Sequence, residues 1–580
     1  MNPPQTCPAR GRFFSRHIQL VAVVCFAALF CGSGYCDDDF SAELPRIPGR
    51  SPQEALQALH VAPGFHAELV ASEPLVVDPI AIAFDEDGRL YAVEMRDYSE
   101  DPQLNLGRIR CLVDHDQDGV FDTSRVFAEG LSWPTAVTCY AGGVVVAVPP
   151  DLIYLKDHDG DGQADERRTL YSGFGRHNVQ GMVNTLKWGL DNHIHGATSS
   201  TGATLSRQDA PQTAPLELRG RDFRVNPRTW ELEATSGGGQ HGLSFNRWGE
   251  KFVCSNSDHI QQILYDDQVL QHNPLASPLP ARVSIAADGP QADVFRTSPV
   301  EPWRIVRTRL RVSGQVPGPI EGGGRAAGYF TGATGITIYR GHAWPQDNLD
   351  LAFVCDVGSN LVHRKRLTDD GVKYRAERID VGSEFVTSDD IWFRPVQLAN
   401  APDGNLYIVD MCRETIEHPA SLPPEIKRHL DLTSGRNRGR IFRIVADGYQ
   451  QAATPQLSHA TTAELVALLN HPNGWHRETA ARLLYERHDD AAGPLLRKAA
   501  SEQPTAEGYL RILYALASLD QLTSADLLPA LSHANPHVRR QALNLAEPIL
   551  AADVQLVARL LEMALDPDPK VRFQAACTLG

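Results

Sequence analysis

Two acidic loops carry the sharpest chemical signature in the chain. Residues 114–122 (DHDQDGVFD) and 157–165 (DHDGDGQAD) share the pattern D-x-D-x-D-G-x-x-D, and their starts lie 43 residues apart. A hard cation such as Ca²⁺ takes several oxygen ligands at ~2.3–2.6 Å, and a tight turn with carboxylates at positions one, three, five and nine, a main-chain carbonyl at seven and glycine at six supplies them. The expected ligands are Asp114, Asp116, Asp118, the Val120 carbonyl and Asp122 in one loop. In the other they are Asp157, Asp159, Asp161, the Gln163 carbonyl and Asp165. Four carboxylates in one turn repel each other strongly without a counter-ion. The flanking segments read as strands and position twelve is arginine in both loops, so these are not EF-hands. Their expected role is to brace neighbouring strands.

A second set of residues suits proton and anion chemistry. Glu94, Arg96, His177, Asn178, His195, Gln240, His241, Asn256, Asp258, His259, Arg394, Asp410 and Arg413 all stand at or near the ends of apolar runs. Histidine abstracts a proton near neutral pH and arginine holds an anionic group. Of these, His177, His241, Arg394, Asp410 and Arg413 are the candidate catalytic residues. The chain has no HExxH, GxSxG, Walker A or CxxCH motif. Its one G-x-G-x-x-G, at 237–242, leads into a strand-like segment, which argues against a dinucleotide fold. A net charge of −16 over 580 residues leaves no basic stripe for nucleic acid.

Groups so far apart in sequence need a scaffold that gathers strand ends. An apolar strand, a turn with Asp, Asn or Gly, and a second apolar strand recur from Pro79, Pro134, Asn184, His241, Thr334 and Pro395, about 50–60 residues apart except for a longer gap before the fifth. Six such copies predict a six-bladed β-propeller over residues 55–445. Pairing the early run 65–71 with the late run 440–445 would close the ring and cover two bare strand edges. Glycine falls from 42 in the first 458 residues to four in the last 122, and the tail reads as helices. Arg477, Arg539 and Arg572 recur 62 and 33 residues apart, the period of a HEAT-like solenoid over 461–580 whose last repeat is expected to be truncated, with 446–460 as the linker. Residues 1–36 read as a secretory signal: Arg10, Arg12 and Arg16, then thirteen uncharged residues, too few for a spanning helix. The chain is therefore expected to be exported, periplasmic or membrane-associated, touching a membrane only through that segment. The six cysteines beyond it show no CxxC spacing and are expected to be mainly buried thiols.

The segments 179–196 (VQGMVNTLKWGLDNHIHG), 242–260 (GLSFNRWGEKFVCSNSDHI), 335–345 (GITIYRGHAWP), 360–367 (NLVHRKRL), 385–419 (FVTSDDIWFRPVQLANAPDGNLYIVDMCRETIEHP) and 439–445 (GRIFRIV) resemble the PVC-type membrane-bound dehydrogenases of bacteria. That resemblance implies a propeller like those of the soluble quinoprotein sugar dehydrogenases, with pyrroloquinoline quinone as cofactor, and a c-type haem domain beyond residue 580 receiving the electrons. It implies a histidine base near the third copy, where His177 stands nine residues before Leu186. The family's cofactor-holding arginine would fall at Gly237-Gly238-Gly239, which leaves Arg394 or Arg413 for that task. The expected activity is oxidation of a carbohydrate-like alcohol at the propeller axis. The alternative is a non-catalytic, Ca²⁺-stabilised propeller and HEAT module that binds a glycan or a protein partner.

Overall fold

A computed structural model describes residues 39–266, 268–269 and 280–579. The signal-segment reading falls on residues outside this set. Each recurring hairpin forms for a local reason visible in its turn. In 85–89, Asp85 Oδ1 accepts from the backbone N–H groups of Asp87 and Arg89, and Gly88 takes φ +78°; in 246–250, Asn246 Oδ1 accepts from Trp248 and Glu250, with Gly249 at φ +77°. The short polar side chain replaces a backbone acceptor and glycine takes the left-handed step.

The described residues form six blades. Their inner strands are Pro79–Phe84, Ala136–Tyr140, Asn184–Trp188, Leu243–Phe245, Ala333–Ile338 and Pro395–Asn400. Each packs against the next, and the sixth returns to the first. Four blades have four strands. The second gains the hairpin Ala203–Arg207 and Leu216–Glu217 at its edge, and the fifth gains Leu59–Val61 and a split outer strand. Closure follows the expected pairing: Phe65–Ser72 joins Arg440–Ala446 antiparallel, from Phe65↔Ala446 to Ser72↔Arg440, and completes the sixth blade. Phe442 and Ile444 from this strand lie fully buried in a core shared with the fifth blade. The long gap before the fifth copy holds the helix Pro302–Val312, which lies over one end of the axis and is anchored by Trp303, Val306 and Leu310.

The opposite end of the axis is covered by the helical tail, which begins at Thr462–Leu468 and runs to Pro569–Leu579. The repeated arginines act alike: Arg477 donates to the carbonyls of His471 and Pro472, Arg539 to those of His533 and Ala534, and Arg572 to those of Asp566 and Pro567. Each fastens a helix start to the turn before it. The tail docks on the hairpin turns of the inner strands. Glu486 accepts from Ala141 N, Asn473 Nδ2 donates to Ala401 O, Gln541 Nε2 donates to Trp248 O, and Arg482 pairs with Glu86. No helix among the described residues is long and apolar enough to cross a membrane. All six cysteines from 111 onward are free, and four of them are buried.

Phe442→Ala should lower unfolding stability by about 3–5 kcal/mol, because it leaves a cavity beside the closing strand. A denaturant midpoint unchanged from wild type would mean that this pairing does not hold the ring.

Candidate functional site

The inner strands converge on a cavity of about 320 Å³ beneath the helix Pro302–Val312. Met95, Val179, Met182 and Met411 give it apolar walls, while Asn178, Gln180, Asn184, Gln240, His241 and Asn256 bring polar groups from the third and fourth blades. The cavity therefore offers apolar faces and hydrogen-bonding edges together, as a ligand site requires.

The helix over the cavity buries arginines beside its apolar anchors. Arg304 and Arg307 are buried and Arg311 is half-buried, whereas Ile305 and Val312 are about half exposed, at 48% and 54%. The spacings of three and four place the three guanidinium groups on one face, which lines the cavity. Arg307 donates to Glu417 at 2.7 Å and Arg311 to the Ser421 carbonyl at 3.0 Å. Among the described residues, the carboxylate paired with Arg304 is Glu301 at 3.6 Å, which is shared with Arg296 and Arg394. The Nε atoms of all three cavity arginines are buried without an acceptor. This row is the part of the site that the sequence reading missed, although its 3.6-residue period was present in PWRIVRTRLRV.

His241 lines the cavity and is hydrogen-bonded by the Asn256 side chain. Burial pushes its pKa down to about 4, so the imidazole is neutral at neutral pH. His418 also lines the cavity; burial lowers its pKa against the pull of Glu417, and nearby His177 lowers it further. His177 itself is exposed and lies outside the cavity wall.

Arg394 and Arg413, the arginines expected to reach a ligand, are engaged within the protein. Arg394 is fully buried and donates to Glu301, to the Val357 carbonyl and to the carbonyls of Arg413 and Glu414. It thereby fixes Glu301, the residue that begins the arginine helix. Arg413 is paired with Asp78 through Nε at 2.7 Å and through Nη2, and also donates to the Leu432 carbonyl. Asp410 is buried behind the wall, where its Oδ1 accepts from the backbone N–H groups of Arg394 and Cys412, and burial pushes its pKa up to about 7. Other candidates are likewise held by structural partners: Glu94 by Arg108, Arg110 and Val77 N, His195 by Asp191, His259 by the Pro290 carbonyl, and Asp258 by Gln261 and Ser284. Arg96 is half-buried beside Arg108, and burial lowers its pKa.

In the acidic loops, Asp114, Asp116 and Asp122 bring carboxylate oxygens within 4.8 Å of one another, as do Asp157, Asp159 and Asp165. Asp118 and Asp161 accept from the backbone N–H groups of Val120 and Gln163 through Oδ1, and Asp161 Oδ2 also accepts from Gln163 Nε2. The loops are linked, since Arg125, just after the first loop, donates to the Asp161 carbonyl and Ala164 N donates to Phe127 O. They join the outer strands of the first two blades.

The family model described as "Domain of unknown function (DUF7133)" matches residues 51–448. No curated protein matches the chain. Among solved structures, a luciferin-regenerating enzyme is 11% identical, with 68% of this chain and 99% of that one covered and a TM-score of 0.38. The PQQ domain of pyranose dehydrogenase from Coprinopsis cinerea is 14% identical, covering 69% and 98%, with a TM-score of 0.37. The PQQ-bound aldose sugar dehydrogenase from Streptomyces coelicolor is 12% identical, covering 66% and 100%, with a TM-score of 0.36.

Arg413→Met should cost about 3–5 kcal/mol of stability, because it leaves the Asp78 carboxylate buried and unpaired. Equilibrium unfolding checks this; a loss below about 1 kcal/mol would return Arg413 to the list of available ligand groups.

Proposed function

The chain belongs to the DUF7133 family, and we propose that its propeller is a dehydrogenase that oxidises a small, carbohydrate-like alcohol in the axial cavity. The observation that carries this reading is His241, a neutral imidazole on the wall of a cavity roofed by three guanidinium groups. Oxidising an alcohol to a carbonyl removes a hydride from carbon and a proton from oxygen. The ring nitrogen of His241 that Asn256 does not engage accepts the proton, with Asn256 orienting the ring. Asn178, Gln180 and Gln240 offer hydrogen bonds to the other hydroxyls, and Met95, Met182 and Met411 pack on the apolar faces of the sugar.

The hydride needs an acceptor. The arginine helix fits the polycarboxylate pyrroloquinoline quinone, because the buried Nε atoms of Arg304, Arg307 and Arg311 lack acceptors. These three residues would hold its carboxylates, and the quinone, when bound, would supply the two-electron acceptor. Calcium in each acidic loop would brace the first two blades and leave the axis to the chemistry. Export through residues 1–36, a HEAT-like tail open to a protein partner, and passage of electrons to a c-type haem domain complete the reading.

Purified protein loaded with quinone and Ca²⁺ should reduce an artificial acceptor with at least one sugar of a panel. His241→Gln should lower kcat by ~10²–10⁴-fold while quinone absorbance shows binding retained. The acid limb of kcat/KM should fall at about pH 4, the pKa of the free base, and not near the ordinary histidine value of 6.5. No quinone bound and no turnover with any sugar would overturn the enzyme and leave the glycan- or protein-binding module. For the loops, chelation should lower Tm and Ca²⁺ should restore it, with half the effect lost in Asp122→Asn. Saturation at 100 times Kd stabilises by about 2.7 kcal/mol per site, and a Tm indifferent to Ca²⁺ would exclude both sites.

A further inference from the structure

Below the cavity, on the same axis, lies a second chamber of about 130 Å³. The inner strands wall it on the sides, and the helix Gly474–Arg487 of the tail closes it through Trp475, Glu478 and Arg482. Its charged side chains are paired, with one exception. Arg340, from the fifth blade, grips Glu478 through Nε at 2.9 Å and Nη2 at 3.0 Å, and Arg511 reaches the same carboxylate at 3.3 Å. Arg482 pairs with Glu86 at 2.7 Å and with Glu486 at 3.4 Å. Lys187, midway along the inner strand of the third blade, lines the chamber with no hydrogen bond or ion pair to any described residue.

An enclosed ammonium without a partner is costly, and the cost falls only if the group loses its proton or gains an anion. The surroundings favour an anion. Arg340 keeps guanidinium N–H groups beyond those given to Glu478 and Phe245, and Thr138 and Thr479 line the same space. An anion there would meet both the Lys187 ammonium and the Arg340 N–H groups left over from Glu478 and Phe245. Burial and then the Arg340 charge push the Lys187 pKa down to about 8, against the opposing pull of Glu478.

We propose that the chamber binds a small anion, a halide or a short carboxylate, between Lys187 and Arg340. The anion would touch the third and fifth blades and, through Arg340 and Glu478, the tail, so its occupancy stabilises the docking of the helices on the propeller. Nothing in this depends on the reaction in the upper cavity.

The test uses the full chain exchanged into gluconate at fixed ionic strength, so that general screening stays constant. Titration with chloride, bromide, formate and acetate should raise Tm by several degrees in a saturable way, and the arm that saturates at the lowest concentration identifies the anion. Lys187→Met should remove that dependence, whereas Lys498→Met, at an exposed position on the helix Ala492–Ser501, should keep it. In crystals of wild-type protein grown with bromide, an anomalous peak should stand beside Lys187 Nζ, a readout that holds even if Lys187→Met fails to fold. No saturable rise and no bromide peak would overturn the site. So would a rise that survives in Lys187→Met, or a Lys187→Met protein that is simply more stable than wild type in every anion.

Discussion

Everything at the axis depends on one strand pairing, Phe65–Ser72 against Arg440–Ala446. It joins segments more than 360 residues apart, and it turns an open row of sheets into a ring. The entropy of closing so long a loop grows only slowly with its length, while the pairing satisfies two strand edges and buries Phe442, Ile444 and Ile441. Once the ring is closed, the inner strands must face one another. The upper cavity and the lower chamber are the space that six such strands leave between them.

Charge is the second organising constraint. Many ionisable groups near the axis are buried, and most are consumed in pairs that join one element to another: Arg413 with Asp78 between blades, Arg394 with Glu301 at the roof helix, Arg340 with Glu478 of the tail. A buried pair is a poor source of net stability but is expensive to break, so such residues act as joints. Groups that remain incompletely paired beside open space are then the informative ones. By that criterion the arginine helix and Lys187 stand apart from Arg394, Arg413, Glu94 and His259, which chemistry-bearing type alone had placed on an equal footing.

The number of blades, their inner hairpins and the closing strand were legible because each rests on local rules: alternation, Asx turns and glycines with positive φ. The repeated Arg477, Arg539 and Arg572 were legible too, since each ties its helix to a turn only a few residues before it. The long interval before the fifth copy was visible as an interval, yet its helix was not read as a roof. In sequence, Arg304, Arg307 and Arg311 look like the solvent face of an amphipathic helix; the fold buries that face and exposes Ile305 and Val312. His241 was among the candidates, but nothing local separated it from His195 or His259, whose rings are tied to Asp191 and the Pro290 carbonyl.

By itself, then, the sequence determined the elements: six hairpins, two acidic loops with carboxylates at fixed spacing, and a helical tail with a recurring arginine. These follow from interactions between residues near one another in the chain. Only the tertiary structure decided which charges are spent and which face open space, because that depends on partners hundreds of residues away. It set Arg394 against Glu301 and Arg413 against Asp78, brought a distant helix over the axis at one end and another beneath it at the other, and left Lys187 in a chamber with no hydrogen bond or ion pair to any described residue.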